Sequence, residues 1–306
     1  MVPLVKYRKA YYVLSGTLIV LSLAALSIWG LRFGIDFKGG SLLIGEFTKS
    51  APANQKIADA AQKLDLGETV VQPTGERGVM LRFKEVDEQT HQSVIAALNE
   101  LAQAGDPENN FTQKSFESIG PSIGKELRTK ALTATAIVLV LIIGYVAFAF
   151  RKVSYPLASW KYGIATLIAL FHDVIIPLGL FAALGHFYNV EISSAFIAAI
   201  LTVLGYSVHD SIIVFDRVRE NLLKHQGKTF DETVNISVNQ TFVRSLNTSL
   251  TVILVLLAIY FFGGESIKYL ALMLLVGVGV GTYSSIFIGS TILTSWHARM
   301  MSQKTR

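Results

Sequence analysis

The sequence predicts an α-helical polytopic membrane protein with six transmembrane helices and one external α+β, ferredoxin-like domain between the first and second helices. Three observations carry this. Of 306 residues, 51% are hydrophobic and only 16% charged, and mean hydropathy is +0.47. Six apolar runs approach the ~20 residues that cross a bilayer. The one long polar stretch, between the first two runs, alternates strand-like and helix-like patterns.

The expected spans are residues 11–31, 131–150, 156–184, 192–215, 245–262 and 269–296, and the third and last are long enough to tilt or overhang. The first run has a basic start and an Ala24-Ala25 pair, as a signal peptide would. Its apolar stretch exceeds a signal core and runs to Trp29, an interfacial anchor type, so a retained anchor is expected. The chain thus divides into an N-terminal cytoplasmic segment with the first helix (1–36), the external domain (37–125), a five-helix bundle (126–296) and a cytoplasmic tail (297–306).

Orientation follows from cations, because short cytoplasmic loops retain Lys and Arg. Lys6, Arg8 and Lys9 precede the first span, Arg151, Lys152 and Lys161 bracket the next short loop, and Arg217, Arg219, Lys224, Lys228 and Arg244 lie between the fourth and fifth. The opposite short loops hold only Lys268. Both termini are therefore expected in the cytoplasm, with residues 32–130 outside. That segment holds 12 Lys/Arg against 14 Asp/Glu, so the net charge of +5 arises in the rest of the chain. The basic excess is a topology signal. Its cations are dispersed over loops with no aromatic-interleaved patch, which argues against a nucleic-acid partner. Without cysteine there are no disulfides and no thiol chemistry.

In the polar stretch, residues 41–47 form a short apolar run, and Ile57, Ala60, Ala61 and Leu64 recur at helical spacing over 53–64. Runs 69–72 and 79–83 bracket a turn at 74–78. A second helix follows over 88–102, with Val94, Ile95, Leu98 and Leu101 on one face, and a last strand over 110–119. The order β-α-β-β-α-β is that of the split βαβ. Its acids and bases are scattered, and His91 reads as a surface residue on a helix. No metal-ligand spacing, phosphate loop or nucleophile-base pair marks the chain, so neither enzyme turnover nor a cofactor or metal is expected.

The ionisable groups inside the apolar runs carry more information. Asp210 lies seven residues before Arg217, about 10 Å inside the boundary, where a charge costs on the order of 2.5–3.5 kcal/mol. Arg244, at the start of the fifth span, has a side chain long enough to reach inward. Pairing would favour the charged carboxylate and separation in a dry site the protonated one, so relative helix motion would load and unload a proton. A permanent structural ion pair is the plainer alternative. His172-Asp173 lies about 18 Å of helix beyond Lys161, at mid-membrane, and serves either as a proton relay or as an interhelical hydrogen bond. Ser207, His209 and Ser211 flank Asp210, and Asn247, Thr248, Ser249 and Thr251 follow Arg244, suggesting a wetted cavity. Gly277, Gly281 and Ser285 recur every four residues, a close-packing stripe. At the end of the first span, Gly34, Gly39 and Gly40 with Asp36 make either an interfacial loop or a hinge.

Residues 33–40 (Phe-Gly-Ile-Asp-Phe-Lys-Gly-Gly), His172-Asp173 and the block 205–221 (Gly-Tyr-Ser-Val-His-Asp-Ser-Ile-Ile-Val-Phe-Asp-Arg-Val-Arg-Glu-Asn) resemble the SecD/SecF family of protein-export membrane proteins, within the resistance-nodulation-division superfamily. The resemblance covers the whole chain. It implies a half-transporter in the bacterial inner membrane, forming a pseudo-symmetric heterodimer with SecD beside the SecYEG channel, with YajC as a further candidate partner. It implies use of the proton motive force to promote late translocation of a preprotein. Asp210 would be the proton acceptor, Arg244 its charge switch, and His172, Asp173 and His209 secondary relay candidates. Two other readings remain: a small-molecule or lipid exporter half of the same superfamily, and a non-conducting scaffold of the translocon. No internal repeat is evident, and a six-span half with one buried acid needs a partner if its site lies between repeats.

Overall fold

The structure, a computed structural model, describes residues 2–149 and 156–304. Phe150, at the end of the second expected span, Arg151 and Lys152 of the charge pattern, and the last two tail residues lie outside the described residues. Among the described residues, six helices are long and apolar enough to cross a membrane: Leu4–Trp29, Pro121–Val146, Ser159–Tyr188, Ser194–Leu223, Phe230–Phe262 and Ile267–Gln303. The chain separates into two compact units, Phe33–Leu132 and the pair of segments Met1–Arg32 and Thr133–Arg306.

In the larger unit a short 3-10 turn, Leu4–Tyr7, leads into α1 (Arg8–Trp29). Numbering in chain order, the other long helices are α5 (Pro121–Ala149), which begins in the smaller unit and belongs to the larger one from Thr133, α6 (Ser159–Tyr188), α7 (Ser194–Leu223) and α8 (Phe230–Phe262). The last crossing is composite: α9 (Glu265–Tyr283), a π-helical segment Ser284–Gly289 and α10 (Ser290–Lys304). Helix lengths exceed the apolar runs where a start signal lies upstream. The helix α8 begins 15 residues before the expected span because Thr229 caps it, accepting the Glu232 N–H at 3.2 Å, while Glu232 accepts the Lys228 N–H at 2.7 Å. Pro121 opens α5 at a position where its missing N–H is not needed.

Small residues set the close helix contacts. A Cβ on Gly179 of α6 would fall 2.3 Å from that of Ser22 on α1, and one on Gly277 of α9 would fall 2.3 Å from Val203 Cγ2 on α7. Gly281, one turn on, would place a Cβ 3.3 Å from Ser207 Cβ and 3.6 Å from Asp173 Oδ2. The glycine stripe therefore lets α9 lie against α7 at the level of the buried acids.

The smaller unit contains α2 (Ile35–Lys38), β1 (Gly40–Phe47), α3 (Asn54–Lys63), β2 (Val70–Thr74), β3 (Gly78–Phe83), α4 (Glu88–Gln103) and β4 (Phe111–Ile119). The strands form one antiparallel sheet in the order β2-β3-β1-β4, with Leu43 opposite Leu81 and Phe47 opposite Phe111. With β3 between β1 and β2, this is the split βαβ arrangement. Alternate residues of β1 and β3, among them Leu43, Phe47, Val79, Leu81 and Phe83, point to a core closed by Ile57 of α3 and Val94 and Leu98 of α4. His91 is not a surface residue as its isolation suggested: it is 4% exposed, stacked on Phe116 with centroids 3.7 Å apart, with Nε2 2.8 Å from Gln113 Oε1 and Nδ1 3.1 Å from Glu88. The reason is register, since 91, 94 and 98 share the inward face of α4.

The glycine motif at the head of this unit is a tight corner. Gly39 and Gly40 have φ of +81° and +128°, and Cβ atoms there would lie 2.9 Å from Pro121 Cα and 2.8 Å from Phe83 O. Gly34 precedes α2 in extended conformation, and Asp36 sits in the first turn of that helix.

Candidate functional site

Two buried carboxylates stand in the helical unit, in different surroundings. Asp173 of α6 is fully buried and satisfied on both oxygens. His172 Nδ1 donates to Oδ1 at 2.9 Å, and Oδ2 accepts from Ser284 Oγ at 2.7 Å and from Ser207 Oγ. The other ring nitrogen of His172 lies 3.1 Å from Ser15 Oγ on α1. One carboxylate thus ties together α1, α6, α7 and the π-helical segment. The π turn brings two successive hydroxyls inward: Ser284 reaches Asp173, and Ser285 lies 3.0 Å from Ser211 Oγ while donating to the Ser207 carbonyl at 3.3 Å. Such segments concentrate at functional sites because the extra residue re-aims side chains.

Asp210 of α7 is 6% exposed and half satisfied. Ser245 Oγ on α8 donates to Oδ1 at 2.6 Å, whereas Oδ2 is buried and has no hydrogen-bond partner among the described residues. An unpaired buried carboxylate oxygen is costly, so this group is poised to take a proton, a water or a cationic partner. One turn along α7 and α8, a hydroxyl chain reaches α9: Tyr206 OH is 2.8 Å from Ser249 Oγ, itself 2.5 Å from Thr282 Oγ1.

The sequence-predicted residues do not all converge here. Arg244 is exposed and makes no ion pair with Asp210; its neighbour Ser245 holds the acid instead. Successive helix residues diverge by about 100°, so Ser245 and Ser249 face inward while Arg244, Asn247, Thr248 and Thr251 face out. His209 is exposed for the same reason, one step round from Asp210. The expected single polar cavity is corrected accordingly, since Ser207 and Ser211 serve Asp173 and Ser285 rather than Asp210. Sequence reasoning overlooked Ser245, Ser284 and Ser15. The signal for Ser245 was its four-residue spacing from Ser249. Gly34, Asp36, Gly39 and Gly40 all belong to the smaller unit, and His172 and Asp173 form the satisfied cluster. Among the described residues no group of three or more His, Cys, Asp or Glu is placed to hold a metal ion.

Comparison with known proteins agrees along the whole chain. Residues 99–299 match the family described as protein export membrane protein SecD/SecF, C-terminal. The protein translocase subunit SecF of Thermobaculum terrenum is 43% identical, aligned over 97% of this chain and 94% of its own, and that of Haemophilus influenzae 38%, over 94% and 83%. The crystal structure of SecDF from Thermus thermophilus superposes with a TM-score of 0.79 at 32% identity, covering 95% of this chain. This chain spans only 38% of that SecDF chain. SecDF in its super-membrane-facing form gives a TM-score of 0.67, at 32% identity over 99% of this chain and 39% of that one.

Proposed function

This chain belongs to the SecF family of protein translocase subunits, and from that premise we propose that it is the SecF half of a proton-driven SecD/SecF unit that promotes late movement of a preprotein across the membrane. It is a multi-pass protein of the bacterial inner membrane. The positive-inside pattern supports cytoplasmic termini and an external βαββαβ domain on which an emerging chain would act. SecYEG, with YajC, is the assembly in which such a unit would work.

The observation that carries this reading is Asp210, buried with one oxygen held by Ser245 and the other without a partner. A proton on Oδ2 removes a buried charge, and its loss restores one, so the protonation state is linked to whatever stabilises the carboxylate. Arg244 supplies the switch through its place in the chain. Turning α8 by about 100° would exchange the Ser245 hydroxyl for the guanidinium at Oδ1. Asp210 alternates between a serine-held neutral state and an arginine-held charged state, and the helix moves between them. The exposed polar stripe of Arg244, Asn247, Thr248 and Thr251 faces the position a partner's helices would occupy, since such groups are poorly matched to lipid. His172 and Asp173 serve as framework, because both carboxylate oxygens already hold donors, three in all.

The test is vesicles containing this chain with SecD and the translocon, comparing parent and Asp210→Asn at matched assembly. Loss of both proton flux and gradient-stimulated translocation is expected. Normal flux and translocation in the variant would overturn the assignment.

A further inference from the structure

We propose that the groove between the N-terminal arm and the start of α8 binds the phosphate of an anionic phospholipid headgroup. The groove is built rather than incidental. Val5 N–H donates to Asn235 Oδ1 at 3.3 Å, and Asn239 makes a reciprocal pair with Val2, accepting its N–H at 3.0 Å and donating to its carbonyl at 2.9 Å. Two asparagines one turn apart thus hold the arm along α8. Arg8 closes the end, donating to Asp231 Oδ2 at 3.0 Å and to Thr294 Oγ1 at 3.3 Å.

The resulting space, about 610 Å³, falls in the range of small-ligand sites and has Val5 and Ile236 in its lining. Both carboxylates on its rim are engaged, Asp231 by Arg8 and Glu232 by the Lys228 N–H. Lys6 and Lys9 are exposed at the same groove, and among the described residues neither forms an ion pair. Two uncommitted ammonium groups beside an apolar lining match a ligand that is anionic at one end and apolar at the other. The groove lies at the end of α1 where the first apolar span begins, the depth of lipid headgroups, and basic pockets between transmembrane helices select anionic lipids there. A free oxyanion would use the lysines and leave the apolar side unfilled.

The experiment is native mass spectrometry of the purified full chain in micelles supplied with phosphatidylglycerol and phosphatidylcholine, for the parent, Lys6→Gln/Lys9→Gln and Lys6→Arg/Lys9→Arg. The parent is expected to retain phosphatidylglycerol roughly tenfold over phosphatidylcholine, with the preference shrinking as salt screens the lysines. The arginine variant should keep that preference, and the glutamine variant should lose it while retaining the parent's melting temperature in phosphatidylcholine. Equal selectivity in parent and glutamine variant would overturn the proposal. So would stabilisation of the parent by inorganic phosphate as large as that by phosphatidylglycerol, which would assign the groove to a free oxyanion.

Discussion

Asp173 and Asp210 are the same residue type, each buried in the same helical unit, yet Asp173 accepts from His172, Ser207 and Ser284 while Asp210 accepts from Ser245 alone. A carboxylate with donors on both oxygens from several helices is a cross-link, because moving any helix breaks a bond in a place where water does not replace it. A carboxylate with one oxygen unpaired is held less firmly and gains from a new partner. Burial alone therefore does not distinguish the two acids; the number of donors around each does.

Neutralising each acid in turn should separate the two. Asp210→Asn should reduce gradient-driven translocation to background in reconstituted vesicles while leaving the melting temperature near the parent's. Asp173→Ala should instead destabilise the helical unit by about 3–5 kcal/mol, read by thermal unfolding in detergent, because it strands three former donors. Were Asp173→Ala to melt with the parent and abolish proton flux, the roles would be reversed.

Packing under the two acids gives the next effect. Gly277→Val forces atoms into Val203 and should cost about 1–3 kcal/mol, whereas Gly279→Ala, with nothing within 4 Å of its Cβ position, should melt with the parent. Ser245→Ala removes the donor to Asp210 and should slow coupled translocation by roughly tenfold, equivalent to about 1.4 kcal/mol, with Ser245→Thr restoring most of it. Full coupling in Ser245→Ala would show that the serine is a bystander.

The smallest effect falls in the sheet-containing unit and serves as a contrast with buried acids. Asp87 caps α4 in solvent, and the Thr90 hydrogen bonds hold its carboxyl below the usual range. A lowered folded value means that its contribution is present above the unfolded value near 4 and is lost as pH falls through the folded one. Asp87→Asn should therefore lower the thermal midpoint of this unit slightly at pH 7 and match the parent at about pH 2. An equal deficit at both pH values would remove charge from the explanation.

The six spans, the βαββαβ order and Asp210 all follow from local properties: hydropathy sums over a window, strand alternation has period two, and an acid in an apolar run stands out by its cost. The exposure of Arg244 and His209 was not legible, because a hydropathy window carries no helix rotation and one residue turns a side chain through about 100°. Ser284 was hidden by the π turn, which adds a residue to the local period and moves every later side chain round the axis. His91 was legible in principle from its three- and seven-residue spacing to Val94 and Leu98, but a lone polar residue on an apolar face reads as exposed until Glu88 and Gln113 supply its partners.

Composition along one segment at a time was enough to show that this chain crosses a membrane, how often, and that Asp173 and Asp210 both stand where an acid is costly. Tertiary structure decided which hydroxyls reach which carboxylate, that Ser245 rather than Arg244 holds Asp210, and that the N-terminal arm closes a basic groove against α8. Those outcomes depend on the rotation and spacing of helices distant in sequence, which are set by close contacts such as Gly277 on Val203 and by the hydrogen bonds that buried polar groups must find in one another.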